Sequence, residues 1–500
     1  MQRLPLATGS QVTRSPIANR QRCINYYPER NQGDALVPLT LYQRPGLRVL
    51  AQGPAAPVRG VFRASNGQGY AVIGQGVYSV QSNWSLQLIG TLATVATTPV
   101  SMTDNGISAV LVDNSPLVYT WPLASNVFSQ LVDPNGLFAG ATRVDNMDGY
   151  ILWNLPGTHQ FGSTLNFTTT TDPTYEAGKT SYPDPIQTLI VQHRQLYLIG
   201  QVSTETWFDA GNAAFPFAQL PGADHEHGTG APYSVAGADN QVYWLQQNRQ
   251  GAGMVVRARG YEVKRISDHA VEYAIRQMRA AGTINDAIGY TYQIDGHGFY
   301  VLCFPTGDQT WVFDESTELW HQRCWTDANG QLHRDRTNCA AYLFDTNVVG
   351  DFANGTLYAL DPNYYVDTVG GVNYPIKFIR GFPHIRYAEM NLGAPNLNRP
   401  IEWSGERMRF SAFTVDLQCG TGPLDSAGRP AQIILRWSID RGVTFGQSVL
   451  QTAGAPGQYT TQPKWTALGM GRDVVFEIEH TIAGEAALQG AWVQVEKLAS

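Results

Sequence analysis

Along residues 51–370 the chain alternates short apolar runs with pairs of Gly, Asn and Asp, the pattern of strands of about four to eight residues joined by tight turns. A turn pair leading into such a run recurs at Asn66-Gly67, Asn105-Gly106, Asp148-Gly149, His193-Arg194, Asp239-Asn240, Asp295-Gly296 and Asn354-Gly355. The intervals are 39, 43, 45, 46, 56 and 59 residues. Six of the seven turns lead into a tyrosine: Tyr70, Tyr150, Tyr197, Tyr243, Tyr300 and Tyr358; the second unit, Ile107 to Val112, lacks it. Asn-Gly and Asp-Gly supply the positive φ that a two-residue hairpin turn demands, so these pairs predict strand connections. A second strand follows each of the first four turns, marked by Tyr78, Tyr119, Phe161 and Trp207, and Trp311 continues it in the sixth unit. In the fifth the equivalent strand is Met254 to Arg259, without an aromatic. Several antiparallel strands in each unit of about 40–50 residues predict the blades of a β-propeller. The competing reading is a generic all-β protein with evenly spaced turns.

One segment breaks the pattern. From Ser267, read as the N-cap, apolar residues fall at Val271, Ala274, Ile275 and Met278, the spacing of an amphipathic helix that Gly282 ends. Beyond residue 371 the repeat stops, and strands are expected at Arg409 to Leu417, Ile433 to Ile439, Asp473 to Glu479 and Ala491 to Val495, linked by Gly- and Pro-rich loops. The reading is therefore all-β: an arginine-bearing N-terminal arm over 1–50, a β-propeller over 51–370 and a β-sandwich over 371–500, with one helix inserted. The irregular seventh unit leaves six or seven blades. The arm has few sustained apolar runs and is expected to become ordered only in an assembly.

Charge sharpens this picture. Only 15% of residues are charged, which favours a surface partly covered by neighbouring subunits. The net charge of −7 divides into +5 over 1–50, −13 over 51–370 and +1 over 371–500. A protein gripping phosphates needs a basic footprint, and the central body has the opposite sign. Its one cationic cluster is Arg257, Arg259, Lys264, Arg265, Arg276 and Arg279, around the helix: either a solvated face or a contact to an acidic partner or DNA. The five cysteines are widely spaced, with no Cys-x-x-Cys pair, and suggest reduced thiols made in a cytoplasm. No secretory signal and no membrane span is expected.

Candidate chemistry is sparse. Ser438-Ile439-Asp440-Arg441-Gly442-Val443-Thr444-Phe445 fits the Asp-box of sialidases and related glycosidases, with Ser438, Asp440, Gly442, Thr444 and Phe445 at its defining positions. That motif braces a hairpin: the Asp bonds the turn backbone, Gly permits the turn, and the aromatic packs beneath. It occurs once, so a structural role is expected. His225-Glu226-His227 lacks helical metal-ligand spacing, Gly74-Gln75-Gly76 falls in a hairpin, and no P-loop is present. No catalytic residue, cofactor or metal is expected.

The densest signal lies in the run from Asp239 to Trp325 and the segment just before it. Ala231-Pro232-Tyr233-Ser234-Val235-Ala236, Asp239-Asn240-Gln241-Val242-Tyr243-Trp244-Leu245, Gly260-Tyr261-Glu262-Val263-Lys264-Arg265-Ile266-Ser267, His269-Ala270-Val271-Glu272, Asp286-Ala287-Ile288-Gly289-Tyr290-Thr291-Tyr292, Gly296-His297-Gly298-Phe299-Tyr300 and Thr310-Trp311-Val312-Phe313-Asp314 resemble the middle of the packaged-DNA stabilisation and tail hub family of short-tailed bacteriophages. Asn25-Tyr26-Tyr27 with Arg44-Pro45-Gly46-Leu47, and Trp437 to Phe445, resemble that family's two ends. The resemblance implies a virion tail protein made in the host cytoplasm and assembled as a homo-hexameric ring. It further implies contacts to the portal and head-to-tail adaptor, a tail needle or plug, and fibres or tailspikes, with duplex DNA passing through without tight binding. The alternatives are a sialidase-like propeller enzyme and a receptor-binding tail fibre protein.

Overall fold

The computed structural model describes residues 2–4, 6, 8–33, 37–386 and 406–498. Within 46–361 the chain forms seven four-stranded antiparallel meanders: 58–91, 101–130, 144–178, 186–225, 236–265, 288–326, and 337–361 completed by Gly46–Gln52. Their first strands contact one another in succession, and the seventh contacts the first, so the meanders are blades around a common axis. The turns predicted at 148–149, 193–194, 239–240 and 295–296 join first and second strands with positive φ at both residues. The seventh is corrected. Asn354-Gly355 joins the second and third strands of blade seven, and the equivalent of the other turns is Phe344-Asp345, with φ of 47° and 59°. A bulky residue occupies this turn, so no Asn or Gly marked it in the sequence.

Each blade packs face to face on two neighbours, which is why second strands such as Gly69–Ile73 are buried throughout instead of alternating with polar residues. Seven apolar clusters fill the seven interfaces. Tyr70 and Val72 meet Leu111 and Trp121 between blades one and two. Phe138 stacks on Trp153 at 4.1 Å between two and three, and Tyr243 on Tyr300 at 5.1 Å between five and six. Val348 and Leu357 meet Val58 and Ile73 between seven and one, which completes the ring.

The sandwich covers a separate core. One sheet runs Lys464–Thr466, Met408–Leu417, Leu488–Lys497, Leu39–Gln43, Tyr26–Arg30 in that order. The other includes Phe378–Gly381, Asp473–His480, Gln432–Ser438 and Val449–Thr452. Phe413 of the first stacks on Phe476 of the second at 4.6 Å.

The N-terminal arm is the main correction. Gln2–Leu4 pairs with Leu488–Lys497, and Tyr26–Arg30 and Leu39–Gln43 extend the first sandwich sheet. Cys23–Ile24 lies between Leu319–Thr326 of blade six and Phe378–Gly381, welding the second sandwich sheet to the propeller. Gly46–Gln52 is the outer strand of blade seven. The segment needs no long apolar run because it completes sheets whose other strands already supply the core. It buries Leu4, Leu6, Cys23, Ile24, Tyr26, Leu41 and Leu47 while its backbone satisfies exposed sheet edges.

The helix spans His269–Ala281 and lies between blades five and six, burying Ala270, Val271, Ile275 and Met278. Its N-cap is Asp268, whose carboxylate accepts from the backbone N–H of Ala270 and Val271, instead of Ser267. The Ser267 hydroxyl is drawn inward, accepting from Val255 N–H and donating to Glu272.

Candidate functional site

The cationic cluster comes from three elements, the two outer strands of blade five and the helix, and several of its charges are spent within the fold. Arg257 and Lys264, on the outer strands of blade five, both face Glu318 of blade six, at 3.8 Å and 3.3 Å. Arg265 grips Glu272 of the helix with two bonds of 2.6 Å and 2.7 Å. Arg276 sits over the Tyr273 ring at 5.5 Å. Arg276 and Arg279 line a 580 Å³ groove with Thr13, Arg14 and His269, between the helix and the N-terminal hairpin. Gln11 bonds the capping Asp268 across its end at 2.5 Å. Arg259 is exposed and has no ion pair among the described residues.

The Asp-box forms a closed hairpin at the end of Gln432–Ser438. Asp440 accepts from the Ser438 hydroxyl at 2.6 Å, the Thr444 N–H at 2.9 Å and the Thr444 hydroxyl at 2.5 Å, while Gly442 N–H donates to Ser438 Oγ. The Ser438 and Thr444 bonds hold the exposed Asp440 carboxyl down to about 2. Gly442 has φ +82°, and a Cβ there would meet Arg20 at 3.2 Å. Phe445 packs against the Arg436 guanidinium, at 5.4 Å. The side chains of Ser438, Asp440 and Thr444 are thus spent on the hairpin itself, while Arg441 faces Asp473 at 3.9 Å.

Around the propeller axis, residues of five blades and the linkers leading into blades three and five line an open cavity of 220 Å³, including Arg59, Ser101, Arg143, Thr188, Tyr233, Tyr290 and Asn338. Sequence reasoning missed this site, because its members sit on five separate strands and two linkers with no spacing signal. His225 and His227 are half-buried, which lowers both from the usual imidazole value, and no metal-binding cluster of His, Cys, Asp or Glu exists among the described residues. No helix there is long and apolar enough to cross a membrane.

No curated protein sequence matches the chain. Solved structures similar to it include a chain described as the extracellular domain of a two component system from B. thetaiotaomicron, at 9% identity and a TM-score of 0.42, covering 68% of this chain and 44% of that one. The chain therefore spans less than half of that protein. The WD40 β-propeller domain of Doa1 is similar at 10% identity and a TM-score of 0.38, covering 63% of this chain and 97% of that one. Virginiamycin B lyase from Staphylococcus aureus is similar at 9% and 0.40, with 62% and 97% covered. Likenesses this distant leave the strand pairing to define the propeller. Two family models match in sequence: "Bacteriophage P22 Gp10, beta-propeller" over residues 2–365 and "Bacteriophage P22 Gp10, beta-sandwich" over 401–496. With both halves of the fold matched in order, and with the first match taking in the N-terminal strands that close the ring, the chain belongs to the bacteriophage P22 Gp10 family of packaged-DNA stabilisation proteins, structural components of the virion.

Proposed function

We propose that this chain is a tail hub of a short-tailed phage: copies of it assemble as a ring, six as the resemblance implies, that extends the portal and adaptor channel, retains packaged DNA and seats the tail needle and fibres or spikes. The observation that carries this reading is the family match over both domains. The axial cavity adds a constraint. A space of 220 Å³ is less than about 8 Å across, whereas the major groove of a duplex alone is about 12 Å wide. DNA cannot thread a single propeller, so in this reading the conduit lies between copies and each propeller is a wall element. The −13 charge over 51–370 suits such a wall, because carboxylates repel phosphates and let a duplex slide without sticking. Retention is then mechanical. The role is structural and not enzymatic, since the Asp-box polar groups serve their own hairpin.

Phage lacking the chain should assemble and package heads that then lose their DNA, and adding purified protein to filled, tailless heads should slow the leakage. Stable filled heads from the null phage would reject the stabilising role. Tight binding of the free protein to duplex DNA with a steep salt dependence would reject the sliding wall.

A further inference from the structure

The axial cavity is lined by two arginines, one with a buried nitrogen that has no hydrogen-bond partner and one with no carboxylate beside it. Arg143, at the start of blade three, reaches across the axis past blade four and donates to the carbonyl of Val235, in the linker to blade five, at 2.8 Å. That uses one of the five N–H donors of a guanidinium. No carboxylate lies within 4.0 Å of it among the described residues; Asp145 instead accepts from the backbone N–H groups of Val191 and Asn146. Arg59, from blade one, has a fully buried side chain. Its Nε and Nη1 donate to the carbonyls of Thr98 and Gly74, at 2.7 Å and 3.3 Å. Its Nη2 is buried without a hydrogen-bond partner, 3.8 Å from Asp113. The Thr188 hydroxyl, from blade four and 1% exposed, is likewise unpartnered. Tyr233, carried by the linker to blade five, lies near enough to Arg59 to be influenced by its charge.

Unpaired buried donors are costly, and more so when charged. They are relieved by an acceptor-rich group that fits the space. A cavity of 220 Å³ admits a small tetrahedral oxyanion with some hydration, and its charge would face two guanidiniums, Arg59 with Asp113 alone as a carboxylate neighbour, at 3.8 Å, and Arg143 with none within 4.0 Å among the described residues. We propose that the propeller axis is a binding site for one small oxyanion of the phosphate or sulfate class, held by Arg143, Arg59 and the Thr188 hydroxyl, which ties blades one, three, four and five together. This site is independent of the tail-hub reading.

The test is titration of the full-length protein with inorganic phosphate, and separately sulfate, at constant ionic strength set by chloride, read by calorimetry and melting temperature. Wild type should bind one ion per chain saturably and gain melting temperature with it. Arg143→Met should lose at least tenfold in affinity and most of the gain in melting temperature that the ion gives wild type, and Thr188→Val should weaken binding less. Because the groove at Arg14, Arg276 and Arg279 could also attract anions, the Arg276→Gln, Arg279→Gln double variant is the control and should bind as wild type does. No saturable binding, as a water-filled cavity would give, overturns the proposal; so does an Arg143→Met protein that binds normally, or loss of binding in the groove variant instead.

Discussion

Arg44 and Asp367 form a bidentate ion pair with both side chains 1% exposed: Nη2 meets one carboxylate oxygen at 2.5 Å and Nη1 the other at 3.1 Å. Arg44 also donates to the Asn25 side chain and to the carbonyls of Pro45 and Cys324, so one guanidinium joins the sandwich strands, blade six and the hairpin after blade seven. Removing one partner of a buried pair leaves a charge uncompensated and costs about 3–5 kcal/mol. Asp367→Ala should lower the free energy of unfolding by about that much in urea denaturation, whereas replacing both residues with apolar ones should cost less. An unchanged unfolding midpoint for the single variant would contradict the pairing.

The closing strand makes a second prediction. Leu47 is 1% exposed within the core shared by blades six and seven. Leu47→Ala should cost about 2–5 kcal/mol, the range for a buried leucine, and should lower the melting of the whole propeller. The same topology predicts that protease leaves residues 8–33 intact in the free protein, because these residues carry sheet hydrogen bonds. Rapid removal of the segment from unassembled protein would favour an arm that orders only on assembly.

For the Asp-box, Asp440→Ala should cost about 1 kcal/mol by loss of hydrogen bonds, a modest figure because the hairpin is solvent-exposed. With the carboxyl held at about 2, its contribution is present above the ordinary value of 3.8 and fades as pH falls through about 2. Asp440→Asn should retain part of it. Equal stability of wild type and Asp440→Ala would remove the brace.

Two histidines set an acid limit. His321 in blade six and His480 in the sandwich are fully buried, and burial pushes both down to about 3. The unfolded chain, with imidazoles near 6.5, binds more protons than the folded one, so stability should fall as pH drops from about 6.5 towards 3. His297 works the other way: burial opposes its charge, but Asp314 and Glu29 outweigh this and raise it, so its contribution is present below 6.5 and lost as pH rises above that value. His480→Gln should flatten the acid limb of a melting-temperature profile while leaving the alkaline limb in place. An acid limb of unchanged slope would refute the assignment.

The blades were legible in the sequence because a blade is local. Asp148-Gly149 and Asp295-Gly296 specify their hairpins by their own backbone preferences, and the strands they join are neighbours in the chain. Helix α1 (His269–Ala281) was legible for the same reason, its cap displaced by a single residue. Phe344-Asp345 was not, because the residue type does not advertise the positive φ that the surrounding strands impose.

What the sequence by itself determined is the set of meanders, their period, the helix, the late sandwich strands and the family, all carried by turn chemistry, hydrophobic pattern and contiguous motifs. What only the tertiary structure decided is how the set closes. Tyr358 pairs with Val49, Ile379 with Ile24, and Arg143 reaches Val235, each across a separation with no local signal. Strand edges and buried charges accept partners by geometry and hydrogen-bonding capacity, so the +5 segment that reads as a free arm becomes the seam of both domains once seven blades present an open edge for it to fill.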